Sequence, residues 1–356
     1  MTKQKRDPAV ELARILGCLI VVGCHCYLPY AGESGMDPGR AYLACLFADG
    51  VAVFWLIMGF YYFSGSAGYG ARIKRMWKKI CVPMLLAGFA SFFTEGWLNH
   101  ALTWRESLLL PGSAWLELLE KLVRWENPFR ADGPLWYLMI YIPLVFCYPL
   151  LKGFASWLEE KPGRKAKTFL LFAALLLVND YTDNALFAFS QHSVNGLVPA
   201  GILMLSGYCF RSFQDRFRGK IWLWLSPVIF LAANALRLWL LLRRGGSDWI
   251  LYWFSLFGLL DACLAVIFCQ NLQFSARSGE VVNRIASYTF PIYLIHIMVK
   301  NLLVRQGFTL WLEQKLMPLP LSAVWYVVIL VLLVFLLSLI LCVILRKLKG
   351  LIFKNA

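Results

Sequence analysis

LSAVWYVVILVLLVFLLSLILCVIL, residues 321–345, contains no charged side chain. At 1.5 Å per residue such a run is long enough to cross the ~30 Å hydrocarbon core of a bilayer as a helix. Arg346, Lys347, Lys349 and Lys354 follow it, a basic flank of the kind that stays on the cytoplasmic side. The pattern repeats along the chain. Apolar segments at about 9–29, 42–64, 80–98, 134–152, 168–187, 194–210, 221–242, 249–270 and 285–304 complete a set of about ten spans. The 356 residues are 60% hydrophobic and 15% charged, where a soluble domain carries about 25% charge. Backbone polar groups in lipid must be satisfied internally, which leaves helices or a closed barrel. These runs are too long and too continuously apolar for barrel strands.

The sequence therefore predicts an all-α fold, a polytopic transmembrane helical bundle. It forms one domain over 1–356 with no separate soluble domain. The fifth and ninth spans are the least regular, because Asn179 and Asp180 interrupt one and Ser287, Pro291 and His296 the other. Lys3, Lys5 and Arg6 ahead of the first span resemble a signal peptide's basic start. Glu11, Arg14 and His25 within it, and the lack of a small-residue cleavage site, mark it as a retained span. The widest gap, 99–133, holds Trp115, Leu116, Leu118, Leu119, Leu122 and Val123, spaced for a short amphipathic helix on the membrane surface.

Basic residues set the orientation. With the N-terminus in the cytoplasm, the clusters at 3–6, 72–79, 152–167, 211–220, 277–284 and 346–354 all fall on that side. They hold 23 of the 35 Lys and Arg residues, against 10 opposite. Both termini are expected inside, in a multi-pass membrane protein. The net charge of +15 then needs no nucleic acid: it is spread over short loops beside anionic headgroups. The ten cysteines lie in or beside spans, where cysteine acts as a small hydrophobe. No zinc or disulfide spacing emerges.

In the first span, Cys24-His25-Cys26 fails as a metal site, because consecutive helical side chains point about 100° apart. Arg14 is the informative partner. It precedes His25 by eleven residues, almost three whole turns, so the two share a face about 16 Å apart along the axis. Glu11 lies within a turn of Arg14 and Cys18 fills the stripe. An ionisable residue inside a membrane is costly and suggests a function. Taken alone, Arg14 equally suits snorkelling to headgroups, and His25 suits packing between helices. Their common face favours function. Asp49, Glu95, His100, His192, Asn195, Asn234, Arg237, Asp261 and His296 gather in the outer half or outer loops, suggesting a polar cavity open to the outside.

The Arg14-x10-His25 pattern resembles the signature of the acyltransferase family 3 membrane proteins, which include bacterial O-acetyltransferases of surface polysaccharides. VAVFWLIMGFYYF (51–63) is similar to the family's Phe-Phe-x-x-Ser-Gly segment. RIKRMWKKICVP (72–83) resembles its basic loop running into a proline-headed helix. LWYLMIYIPLVFCYPLL (135–151) and SYTFPIYLIH (287–296) match its tryptophan-containing fourth span and its late Tyr-Leu-x-His segment. Met58 stands where the family usually has serine, so no role for that serine carries over. Glu11 replaces the more usual aspartate.

The resemblance implies transfer of an acyl group, usually acetyl, from cytoplasmic acyl-CoA to a hydroxyl of an extracytoplasmic acceptor such as a cell-surface glycan. Acyl-CoA is then a co-substrate, with no permanently bound cofactor and no metal; membrane lipid and the glycan are the other partners. An imidazole suits a general base near neutral pH, so His25 is the expected base. Arg14, paired with Glu11, is expected to hold the donor. Trp136, Tyr137, Tyr293 and His296 are candidates for orienting the acceptor or polarising the carbonyl. Arg72 and Arg75 are candidates for gathering the polyanionic CoA. A membrane transporter or exporter of a small solute or glycan precursor is the alternative, since a polar path across the bilayer also serves transport.

Overall fold

Asp7 and Pro8 begin the first helix, α1 (Pro8–Cys24). The Asp7 carboxylate accepts the Ala9 N–H at 3.0 Å, and Pro8 takes a first-turn position where its missing N–H costs nothing. The computed structural model describes residues 6–26, 30–32, 35–63, 65, 67–109, 112–124, 135–182, 186, 196–243 and 255–352. After α1, two-residue strands Ala31–Gly32 and Gly35–Met36 pair antiparallel. Asp37 caps α2 (Pro38–Leu46) through the N–H groups of Gly39 and Arg40. α3 (Gly50–Tyr62) follows closely enough that Pro38–Tyr62 counts as one crossing.

α4 (Tyr69–Met76), a π turn at Trp77–Cys81 and α5 (Val82–Leu98) form one 30-residue helix. The expected basic loop at 72–79 is therefore helical. Its charges project from the wall of a long helix instead of hanging on a connection. Next come α6 (Trp104–Leu108), with a Thr103–Glu106 capping box, and α7 (Gly112–Val123). In α7, Trp115 packs against Phe89, Phe92 and Phe93, while Leu116 and Val123 remain 69% and 87% exposed. The amphipathic helix expected there has formed.

α8 (Trp136–Phe146) and α9 (Tyr148–Glu159) meet at a 69° bend. The fourth predicted span is thus broken at Cys147. Pro143 removes a helical N–H within α8, and Pro149 starts the next helix. α10 (Arg164–Tyr181), α11 (Leu197–Arg211), a 3₁₀ turn at Gln214–Phe217, α12 (Ile221–Arg243) and α13 (Leu256–Gln270) follow. α14 (Ala276–Ala286) and α15 (Thr289–Arg305) meet at 54°, breaking the ninth predicted span at the residues that make its sequence irregular. α16 (Phe308–Leu316) and α17 (Ser322–Ile352) end the chain.

All ten predicted spans fall on helices, but length and composition carry fewer crossings. Among the described residues four helices are long and apolar enough to cross a membrane, and six if each bent pair is one span. The others are short. α1 has 17 residues, and α11 and α13 have 15 each. α10 has 18, and its Asn179 and Asp180 are buried within the bundle. All ten cysteines are free thiols, eight of them buried.

The centre of the bundle is the crossing of α3 and α11. A Cβ on Gly59 would overlap the Met204 carbonyl oxygen, and one on Gly207 would overlap that of Leu56. Small residues in this reciprocal spacing let two backbones touch where no hydrophobic force drives helices together. Valine at position 59 must push backbone aside. It is expected to destabilise the fold by about 1–3 kcal/mol or more, read as a lowered unfolding temperature in detergent. Valine at both 59 and 207 should cost less than the sum of the single changes, because both act on one crossing.

Cations close the end of α3. Lys152 Nζ donates to the Phe63 carbonyl at 2.9 Å, and Arg211 donates to that of Phe60. Both meet the negative end of the helix dipole. Residues from the basic clusters at 72–79, 152–167 and 211–220 thus converge on one end of the bundle. At the opposite end Asp49 forms a two-pronged ion pair with Arg237, which is 0% exposed. Arg237 also donates to Ser255 Oγ at 3.3 Å, and Asn234 donates to Asp261 at 2.8 Å. Nearby, Asp180 accepts the Leu256 N–H at 2.9 Å. The apolar outer faces of α12 and α17, including Trp224, Val228, Leu332, Leu336 and Ile340, are exposed, as lipid contact requires.

Candidate active site

Glu11 and Arg14 are three residues apart on α1, a spacing that brings helical side chains together. The Arg14 guanidinium donates to Glu11 at 2.9 Å, and Arg6 approaches the same oxygen at 4.0 Å. The Glu11 side chain is nearly buried while a quarter of that of Arg14 is exposed. A buried carboxylate needs such a partner, and the pair aims the remaining guanidinium N–H groups outward.

Arg14 also lines a cavity of about 490 Å³. Arg6, Arg14, Arg72, Arg75 and Lys79 supply its basic side chains. Ile57, Met58 and Val145 give it apolar surface, and Tyr61, Tyr62, Tyr137, Tyr141 and Tyr293 ring it with phenols. Met58, where the resemblance expects serine, is therefore an apolar part of the wall. Both chain breaks adjoin this space: Val145 precedes one, and Ala286, Ser287 and Thr289 flank the other. The π turn contributes Lys79 and Ile80. Arg72 is less available than its charge suggests. It donates to the carbonyls of Gly65 and Ala67, both at 3.1 Å, and lies 4.0 Å over the Tyr148 ring. Among the described residues Arg75 makes no such hydrogen bond, and it is exposed.

Beyond the cavity α1 runs beside α15. Cys18 Sγ lies 3.7 Å from the Thr289 carbonyl, and seven residues further along both helices the rings of His25 and His296 stand 5.4 Å apart. Equal steps along both helices mean that they run parallel, in register. The expected stripe of Arg14, Cys18 and His25 thus faces α15. His25 is one residue past the last helical position, and its N–H bonds to Val22 at 3.2 Å; the final turn is tighter than the regular helix assumed from sequence.

His25 does not line the cavity. A file of rings joins the two: His25 to His296 at 5.4 Å, His296 to Tyr293 at 6.0 Å, and Tyr293 to Tyr137 at 5.8 Å. Tyr137 in turn packs on Trp55 at 4.3 Å and on Trp136 at 6.4 Å. Four of the predicted residues, Tyr137, Tyr293, His296 and His25, are therefore contiguous, while Trp136 touches the file from outside the cavity.

His296 is 1% exposed, with Nδ1 bonded to the Tyr293 carbonyl at 2.8 Å and Nε2 buried without a partner. A buried polar atom left in this way costs on the order of 1–3 kcal/mol. Lys300, one turn beyond, acts electrostatically on both imidazoles. Sequence reading passed over it, although His296-x3-Lys300 is helical spacing. It also missed Arg6, Tyr61 and Tyr141 as parts of this site; they reach the cavity only through tertiary packing.

The other polar residues separate from this site. Asp49, Asn234, Arg237 and Asp261 are engaged with one another, and Glu95 and His100 lie at the far end of α5. His192 and Asn195 fall outside the described residues. Cys24 Sγ donates to the Val21 carbonyl at 3.0 Å while Cys26 is buried in a separate apolar cluster. Among the described residues no three His, Cys, Asp or Glu side chains converge as metal ligands would.

No curated relative and no solved structure matches this chain. A family model described as an acyltransferase domain matches residues 7–345. Apart from Arg6, that range holds α1, the cavity lining and the ring file together, so the chain belongs to acyltransferase family 3, and its long apolar helices make it a membrane acyltransferase.

Proposed function

We propose that this protein is an integral membrane O-acyltransferase that moves an acyl group, acetyl in the simplest case, from cytoplasmic acyl-CoA to a hydroxyl of an extracytoplasmic acceptor, a cell-surface glycan. The supporting observation is the cavity itself: five basic side chains and five tyrosines around a space whose far wall, Tyr137 and Tyr293, leads to His25 and His296. A donor with a polyanionic head and a long thin arm matches that division of charge. The basic end is assigned to the cytoplasm, in a bacterial cytoplasmic membrane, with ten crossings and both termini inside.

In this reading Arg75, Lys79 and Arg14 hold the donor's anionic and amide groups, and the arm lies along the apolar wall. His25 takes the proton from the acceptor hydroxyl as its oxygen attacks the thioester carbonyl. The carbon–sulfur bond then breaks, the proton passes to the departing thiolate, and an ester and free CoA result. Tyr137, Trp136 and Tyr293 orient the reacting groups.

Purified protein in nanodiscs should release free thiol from acyl-CoA, faster with acceptor present. Solute movement into liposomes without thiol release would favour the transporter alternative. Arg14→Lys keeps a charge beside Glu11 but loses the planar fork. It is expected to raise KM for acyl-CoA about tenfold, the loss of one charge-assisted hydrogen bond, with a smaller change in kcat. An unchanged KM would remove Arg14 from donor binding.

A further inference from the structure

His296 Nε2 is one of several buried side-chain polar atoms without a hydrogen-bond partner among the described residues, and of these it belongs to the ring that stands beside a second imidazole. A carbonyl oxygen only accepts, so the 2.8 Å contact with Tyr293 places the hydrogen on Nδ1. In the neutral ring Nε2 is then a pure acceptor, and it is buried without a donor. The His25 ring stands 5.4 Å away, inclined at 45°. One N–H···N bond, with its nitrogens about 3 Å apart, spans such a separation of ring centres once the rings turn toward each other. Among the described residues, Cys24, Cys26, Tyr293 and Lys300 are the other titratable groups about this pair. Lys300, four residues on from His296, is the competing donor.

We propose that His296 is a positioning residue for His25. Its Nε2 accepts one N–H of His25, which leaves the opposite nitrogen of His25 bare and directed at the acceptor hydroxyl. The Tyr293 carbonyl fixes His296, and His296 fixes His25. The hydroxyl proton goes to the bare nitrogen; the N–H given to His296 stays on His25 throughout, and its hydrogen bond strengthens as His25 becomes cationic. The proton then leaves with the thiol. This inference rests on the reading of His25 as the base, and it adds to that reading the requirement for a single tautomer.

The test uses full-length protein labelled with ¹⁵N-histidine in nanodiscs, as wild type, His296→Gln, His296→Leu and Lys300→Met. A glutamine amide oxygen can stand near the Nε2 position and accept the same N–H. Nitrogen shifts should show one His25 tautomer in wild type, His296→Gln and Lys300→Met, and a mixture in His296→Leu. With acyl-CoA, His296→Leu should lose about 10–100-fold in kcat at unchanged KM, the worth of a hydrogen bond to a charged group, and His296→Gln should recover most of it.

An unchanged tautomer in His296→Leu, or a change in Lys300→Met, overturns the proposal. A glutamine variant as inactive as the leucine one does so too, since His296 would then be a base itself. If the leucine variant does not fold, the wild-type spectrum decides: a His296 Nε2 shift without hydrogen bonding is fatal. Chains inert toward acyl-CoA would refute the enzyme reading, while the spectra would still report on the histidine pair.

Discussion

His25→Ala is expected to leave a folded protein whose thiol release from acyl-CoA, with acceptor present, is slower by about 10²–10⁴-fold. That factor is the ordinary contribution of a positioned general base. His25 lies just past the end of α1, where among the described residues its side chain makes no ion pair and caps no other helix, so truncation should remove little structural support. KM for acyl-CoA should stay near the wild-type value, because the cavity proposed to hold the donor does not include this ring. Added imidazole should restore part of the rate. A variant within threefold of wild type would remove His25 from the reaction and leave the ring file without a base at its end.

The largest stability effect is expected at the other polar centre. Asp49→Ala leaves the Arg237 guanidinium, 0% exposed, without its carboxylate. Removing one partner of a buried pair typically costs about 3–5 kcal/mol, since the remaining charge loses its closest compensation. Removing both partners is far milder. Asp49→Leu with Arg237→Met should unfold at a temperature much closer to wild type than either single variant, in a detergent melt followed by tryptophan fluorescence. Equal losses in the single and double variants would mean that the pair does not act as a unit. Thiol release measured below the melting range should change little in the double variant, because neither residue reaches the cavity.

What could be read from sequence was local. Glu11 and Arg14 meet because three residues nearly complete a helical turn, and the Arg14–Cys18–His25 stripe turns toward one neighbour for the same reason. Apolar length located the helices. Ser287 already stood out as an interruption of the ninth run, but nothing located the break at Cys147, because a proline in an apolar run kinks, ends or starts a helix according to what packs beside it. The charge count put the basic residues at one end but not their tasks. Lys152 and Arg211 close α3, and Arg72 holds the carbonyls of Gly65 and Ala67, where all three had read as topology or ligand-binding charge. The union of His25 with His296 joins residues far apart in the chain, as does that of Asp49 with Arg237. No local spacing announces either.

The long last helix has a mechanical side. Its apolar stretch, Ser322–Leu345, would measure about 36 Å at 1.5 Å per residue, against a hydrocarbon slab of ~30 Å. Such a surplus is met by tilting, kinking or local thickening of the bilayer, and it is tilting that involves the neighbouring helix. Val327, Leu330, Val331 and Val334 of α17 share an apolar cluster with Ile292 and Val299 of α15, so the two helices cannot lean independently. A thinner bilayer steepens the lean and exerts a torque on the very helix that carries Tyr293 and His296. Lipid tail length thereby bears on the spacing of the imidazoles through solid contact, with no ligand involved.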